Sequence, residues 1–125
     1  MGLAYFDLGD ARRALEYYEQ ALAIAREIGE RRSEGTWLGN LGLAYFNLGD
    51  ASRAIQFYEQ RLAIAREIGD RRGEGDALGN MGSAYEKLGD KPRARKLWQQ
   101  ALAIYEAIED PHAAWVKEWL EGDSG

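Results

Sequence analysis

The chain has 125 residues, 30 % of them charged and 46 % hydrophobic, with two prolines and a formal net charge of −5. This profile predicts one folded, helix-rich domain and excludes a disordered chain. The acidic balance argues against nucleic acid, which needs a concentrated basic surface. With no cysteine, disulfides, thiolate metal sites and cysteine nucleophiles are ruled out.

In chain order, the first predicted element is a short helix near residues 2–8. Its sequence, Gly2-Leu3-Ala4-Tyr5-Phe6, has no basic region followed by an apolar run, so it is not a signal peptide. No apolar stretch approaches the roughly 18 residues of a membrane helix, and the expectation is a cytoplasmic protein without membrane contact. Helices are then predicted over 11–28, 34–48, 51–68, 74–88, 91–108 and 112–121. Over the fourth, Ala54, Ile55, Tyr58, Leu62, Ala65 and Ile68 recur at helical spacing and mark a broad apolar face.

The breaks between elements recur as well. Leu8-Gly9-Asp10 returns as Leu48-Gly49-Asp50 and Leu88-Gly89-Asp90. In each, the glycine can close one helix in the left-handed conformation and the aspartate can cap the next. Pro92 falls in a first turn, where its missing N–H matters least. Gly29-Glu30-Arg31-Arg32 and Gly69-Asp70-Arg71-Arg72 read as polar links between hairpins. Shifted by 40 residues, segments 2–41 and 42–81 are identical at about 29 of 40 positions, and the next pair at about 14 of 40. The chain is a repeat protein whose last unit has diverged. One hairpin cannot bury its apolar face alone, so neighbours must stack.

The recurring residues resemble the tetratricopeptide repeat. Leu38, Leu41, Gly42, Tyr45, Ala54 and Tyr58 stand at the motif positions of the second unit. Leu78, Met81, Gly82, Tyr85, Ala94, Trp98 and Ala101 stand at those of the third, and Gly2, Tyr5, Ala14, Tyr18 and Ala21 at those of the first. Arg61 replaces the expected alanine, and the usual closing proline is missing from the first two units. In length the repeats are similar to those of Pins-type adaptors and kinesin light chains. The resemblance implies an all-α, right-handed superhelix forming one domain over 1–125. Its repeats fall at about 1–33, 34–73 and 74–110, with a capping or partial-repeat helix over 111–122.

The resemblance also implies that the first helices of successive units line a concave groove that takes a partner peptide or helix. Carried over by position, the groove residues are Leu3 and Phe6, then Thr36, Gly39, Asn40, Leu43, Phe46 and Asn47, then Asp76, Asn80, Ser83, Glu86 and Lys87. Asn40 and Asn80 are poor helix-interior residues whose amides can both donate to and accept from a peptide backbone, or equally from a neighbouring helix. Gly35, Gly39 and Gly42, repeated as Gly75, Gly79 and Gly82, imply close helix approach, with room for a ligand backbone at Gly39 and Gly79. Relatives that clamp a chaperone's terminal carboxylate carry basic residues where this chain has Asp76 and Asn80, so that subtype is rejected.

Other sites are weighed against plain structural roles. His112, the only histidine, reads as a solvated first-turn residue. Lys91, Arg93, Arg95 and Lys96 read as a solvated face, with Arg95 replacing the apolar Leu15 and Ile55. Tyr17, Tyr18, Phe57, Tyr58 and Trp98 read as core, whereas Trp115 and Trp119 either dock the last helix like a lid or, facing outward, form an apolar patch suited to another protein. No phosphate loop, triad or metal cluster appears, so neither an enzyme nor a cofactor is expected. Three functions stay open: a scaffold binding a partner protein or peptide, a regulatory or sensor region of a signalling protein, and a solenoid that assembles end to end with its own copies.

Overall fold

A computed structural model describes residues 8–123, with side chains from 10 to 122. Six helices follow one another: α1 (Leu8–Glu27), α2 (Arg31–Asn47), α3 (Ala51–Ile68), α4 (Arg71–Lys87), α5 (Lys91–Ala107) and α6 (His112–Asp123). Each packs chiefly on its neighbours in sequence, which makes an all-α solenoid. The predicted helix over 2–8 lies outside the described residues except for Leu8.

The repeated glycines end helices as expected. Gly49 and Gly89 have φ of 87° and 86°, values that disfavour any residue with a Cβ. Asp50 and Asp90 then accept the backbone N–H of Arg53 and Arg93 at 3.0 and 3.1 Å. The first Leu-Gly-Asp behaves differently, since all three residues lie within α1.

The two polar links are shorter than predicted. Helices α2 and α4 begin at Arg31 and Arg71, three residues before the expected starts. Gly69 is left-handed and closes α3, while the Asp70 carboxylate accepts the Gly73 N–H. Gly69-Asp70 is thus a second stop-and-start signal of the same kind as Gly49-Asp50. Gly29 is left-handed too, at φ 71°, and Glu109, at φ 56°, holds the fifth such position without a glycine.

The tight helices have another unforeseen brace. Glu34 and Glu74 are buried, at 6 % and 9 % exposure. Glu34 pairs with Arg26 at 3.1 Å and Arg31 at 2.8 Å, and Glu74 with Arg66 at 3.2 Å and Arg71 at 2.9 Å. Each carboxylate joins the end of one hairpin to the start of the next. A buried carboxylate needs such partners to stay charged.

The core is small residues against large ones. Tyr58 seats on Gly42, where an added Cβ would lie 2.5 Å from its ring, and Trp98 seats on Gly82 in the same way at 2.5 Å. Ala54, Ala94 and Ala101 are fully buried around them. Tyr17 departs from its expected core role: it is 61 % exposed, along with Ile24 and Ile28 on the same side of α1. The matching Ile64 and Ile104 are buried at 5 % and 6 %, because each hairpin's first helix covers them. No such helix is described for α1.

Candidate functional site

Helices α4 and α6 are successive first helices, and α5 packs against both. The face that α6 buries is narrow. Val116 is 1 % exposed, with Ala113 and Leu120 beside it against Trp98, Ala101 and Tyr105. Arg95 adds a bond from Nη1 to the Leu120 carbonyl at 3.0 Å, so this cation ties α6 down instead of facing only water. Trp115 and Trp119, one turn apart, are left 56 % and 40 % exposed. The smaller apolar residues of α6 are its buried anchors, while Trp119 packs partly on Trp98 and Trp115 is the more exposed of the two.

Between α4 and α6 lie two cavities. One, of about 320 Å³, is lined by Arg61, Asp76, Gly79, Asn80, Tyr105, His112, Trp115, Val116 and Trp119. The other, of about 410 Å³, is lined by Ser83, Glu86, Trp98, Glu118, Trp119 and Gly122. Trp119 belongs to both and stands between them, its ring 5.7 Å from that of Trp98.

The first cavity has a polar end. The Tyr105 hydroxyl donates to the Asp76 carboxylate. Burial, reinforced by that bond, raises the Tyr105 pKa far above the usual phenol range, so the hydroxyl keeps its proton and remains a donor. Tyr105 reaches there across Gly75, where a Cβ would come within 2.8 Å of its ring. On the other side Arg61 Nη2 stands 3.9 Å from Asp76, beyond hydrogen-bond range.

Arg61 explains Gly39. A Cβ on Gly39 would lie 2.6 Å from the guanidinium and 2.9 Å from Cδ, so this glycine makes room for Arg61 and not for a ligand backbone. Ala101 takes the place of Arg61 in the third hairpin. Gly79 is correspondingly open, its nearest neighbours being Ala101 at 3.9 Å and Trp119 at 4.0 Å.

His112 is not the solvated residue expected. It is half-buried, with Nδ1 2.6 Å from Asp110, and its ring is 5.4 Å from Tyr105 and 4.6 Å from Trp115. Asp110 accepts the His112 backbone N–H and ring nitrogen and pairs with Arg72 at 3.1 Å. These partners, led by the backbone N–H, hold its carboxyl below the ordinary range.

The residues expected in the groove separate into groups. Asp76, Asn80, Ser83 and Glu86 line the two cavities. Asn40, Leu43 and Asn47 line a smaller one of about 100 Å³ against α1. Phe46 is half-buried in the seam between hairpins, against Ala51, Ile55 and Ala84. Thr36 is exposed and donates to the Arg32 carbonyl at 3.1 Å, and Lys87 is exposed and lines neither large cavity. Leu3 and Phe6 lie outside the described residues. Sequence reasoning did not place Arg61, Tyr105, Glu118 or either tryptophan in the groove. Among the described residues no cluster of three or more His, Cys, Asp or Glu could hold a metal ion, and no helix is long and apolar enough to cross a membrane.

Tetratricopeptide repeat profiles match residues 1–67 and 75–112. No curated protein sequence matches the chain. Among solved structures, the TPR domain of Arabidopsis FLU is similar with a TM-score of 0.73 and 26 % identity, over 78 % of this chain and 82 % of that one. BtubC from P. vanneervenii has a TM-score of 0.71 and 27 % identity over 79 % of this chain, which spans only 41 % of BtubC. The N-terminal domain of stress-induced protein-1 from C. elegans shares the fold at a TM-score of 0.60 and 20 % identity, over 89 % of this chain and 97 % of that domain.

Proposed function

We propose that this chain, which belongs to the tetratricopeptide repeat family, binds an extended segment of a partner protein along its concave face, with the groove between α4 and α6 as the main contact. Such repeats generally mediate protein–protein interaction, and the family is typically non-catalytic. The observation that carries the reading is the pair of cavities on either side of Trp119. Each is large enough to admit a large side chain, and a chain crossing Trp119 would reach both. The smaller cavity at Asn40 and Leu43 extends the same face toward the N-terminus. Both large cavities open to solvent along the groove, which favours a passing polypeptide over an enclosed small molecule. The reading places the chain in the cytoplasm, with which a cysteine-free composition is compatible.

A photo-crosslinking amino acid placed at Ser83, in the groove, should trap a partner in cells of the source organism. The same group at Gln99, exposed on α5, should not. Identical adducts from both positions would refute groove binding.

A second reading, end-to-end assembly, is favoured by the apolar face of α1. Tyr17, Ile24 and Ile28 are exposed there, whereas Ile64 and Ile104, the equivalents of Ile24, are buried. If copies associate through it, mass by light scattering rises with concentration, and Ile24→Asp with Ile28→Asp returns the protein to monomer. A constant monomer mass in the parent protein excludes it.

A further inference from the structure

Taking the groove as a polypeptide site, we propose that its occupant is a basic segment with two Lys or Arg side chains that straddle Trp119. One enters between Trp115 and Trp119 and ends on Asp76. The other passes Trp119 and ends between Glu86 and Glu118.

The charge balance of the groove points this way. Asp76 lines the first cavity, and Glu86 and Glu118 line the second. Against these three carboxylates the walls carry one permanent cation, Arg61, held 3.9 Å from Asp76. The ion pairs nearby, Arg72 with Asp110 and Lys117 with Glu106, leave Glu86 and Glu118 out. A groove of one prevailing sign with low-dielectric walls concentrates ligands of the other sign.

The aromatic walls strengthen the argument. An indole face attracts a cation through its quadrupole, and Trp is the best of the aromatic residues for this. Trp115 and Trp119 remain about half exposed although α6 is docked through other residues. A long aliphatic stem between the two rings with its charge on a carboxylate satisfies both features of the wall. An acidic segment would face three carboxylates, and an apolar one would strip water from Asp76, Asn80, Ser83 and Glu86 without replacing their bonds.

The spacing is also readable. Gly79 and Ser83, which mark the two cavities on α4, are one turn apart, about 6 Å along the axis. Side chains on one side of an extended chain repeat every two residues, about 6.6 Å. Cations two residues apart on an extended segment therefore reach both cavities.

The test uses the full chain, ¹⁵N-labelled, titrated with three acetylated and amidated Gly-Ser peptides that carry two arginines, two glutamates or two leucines two residues apart. The indole N–H signals of Trp115 and Trp119 report occupancy, and that of Trp98 reports the second cavity. The arginine peptide should shift them saturably, and the other two should not. Asp76→Asn should weaken binding several-fold, with its amide oxygen still able to accept from Tyr105. Glu118→Gln, at an exposed position, should do the same and cannot be blamed on folding. Arg61→Ala, which installs the residue found at positions 21 and 101, should strengthen binding. Saturable shifts with the glutamate or leucine peptide instead would overturn the basic-segment proposal and leave groove binding standing. Silence with all three would overturn it as well, and the crosslink at Ser83 then decides the groove separately.

Discussion

Replacing Trp98 with alanine should lower the free energy of unfolding by about 3–5 kcal/mol, the range for emptying a large aromatic site in a packed core. Trp98 is 2 % exposed and packs among Leu78, Ala94, Ala101 and Tyr105. Its Nε1–H donates to the Gly79 carbonyl at 3.2 Å, a buried bond that alanine cannot restore. Trp119→Ala is the control. That ring is 40 % exposed and its loss leaves a site open to water, so its removal should cost clearly less than that of Trp98. Urea titrations followed by circular dichroism check both. Because a solenoid's units contact only their neighbours, Trp98→Ala should loosen α5 and α6 first and broaden the transition. A loss below about 1 kcal/mol would mean that Trp98 does not wedge the third hairpin together.

The same residue shows what can be read from a single sequence. A recurrence every 40 residues, with Leu-Gly-Asp as punctuation, is local information, and it was enough to predict hairpins and the left-handed Gly49 and Gly89. What it misplaced depended on partners distant in sequence. Tyr17 and Phe57 hold equivalent positions, yet Tyr17 is exposed among the described residues, because burial depends on which helix lies over a side chain and not on the side chain itself. Trp115 and Trp119 looked like the anchors of α6 because they are its largest apolar residues. The narrow stripe of Ala113, Val116 and Leu120 packs against the core instead and leaves both indoles partly exposed. Arg61 was visible as a departure from the motif, but only its path across Gly39 to Asp76 gives it a role. Asp76, Asn80, Ser83 and Glu86, which the family resemblance places on the inner face, line the two cavities because they belong to the repeated first helix. Tyr105, Glu118 and His112 were not placed there, because they come from parts of the chain where the repeat has drifted.

The glycines allow the sharpest separation of packing from propensity. In a helix interior, alanine is favoured over glycine by roughly 0.8–1 kcal/mol, so Gly→Ala stabilises wherever there is room. At Gly79 there is room: the nearest atoms to a new Cβ are at 3.9 and 4.0 Å, ordinary contact distance. Gly79→Ala should therefore gain up to about 1 kcal/mol. At Gly82 the new Cβ would lie 2.5 Å from Trp98 Cδ1 and Nε1 and 3.2 Å from the Ala94 carbonyl oxygen. The buried indole has nowhere to retreat, and overpacking of this kind typically costs about 1–3 kcal/mol. Gly82→Ala should thus be net destabilising although it is the same chemical change. The decisive measurement is a double-mutant cycle. In a Trp98→Ala background the clash is removed, so Gly82→Ala should lose most of its penalty, giving a coupling of about 1–3 kcal/mol. If Gly82→Ala costs the same with and without the indole, the glycine is required by the nearby Ala94 backbone and not by Trp98.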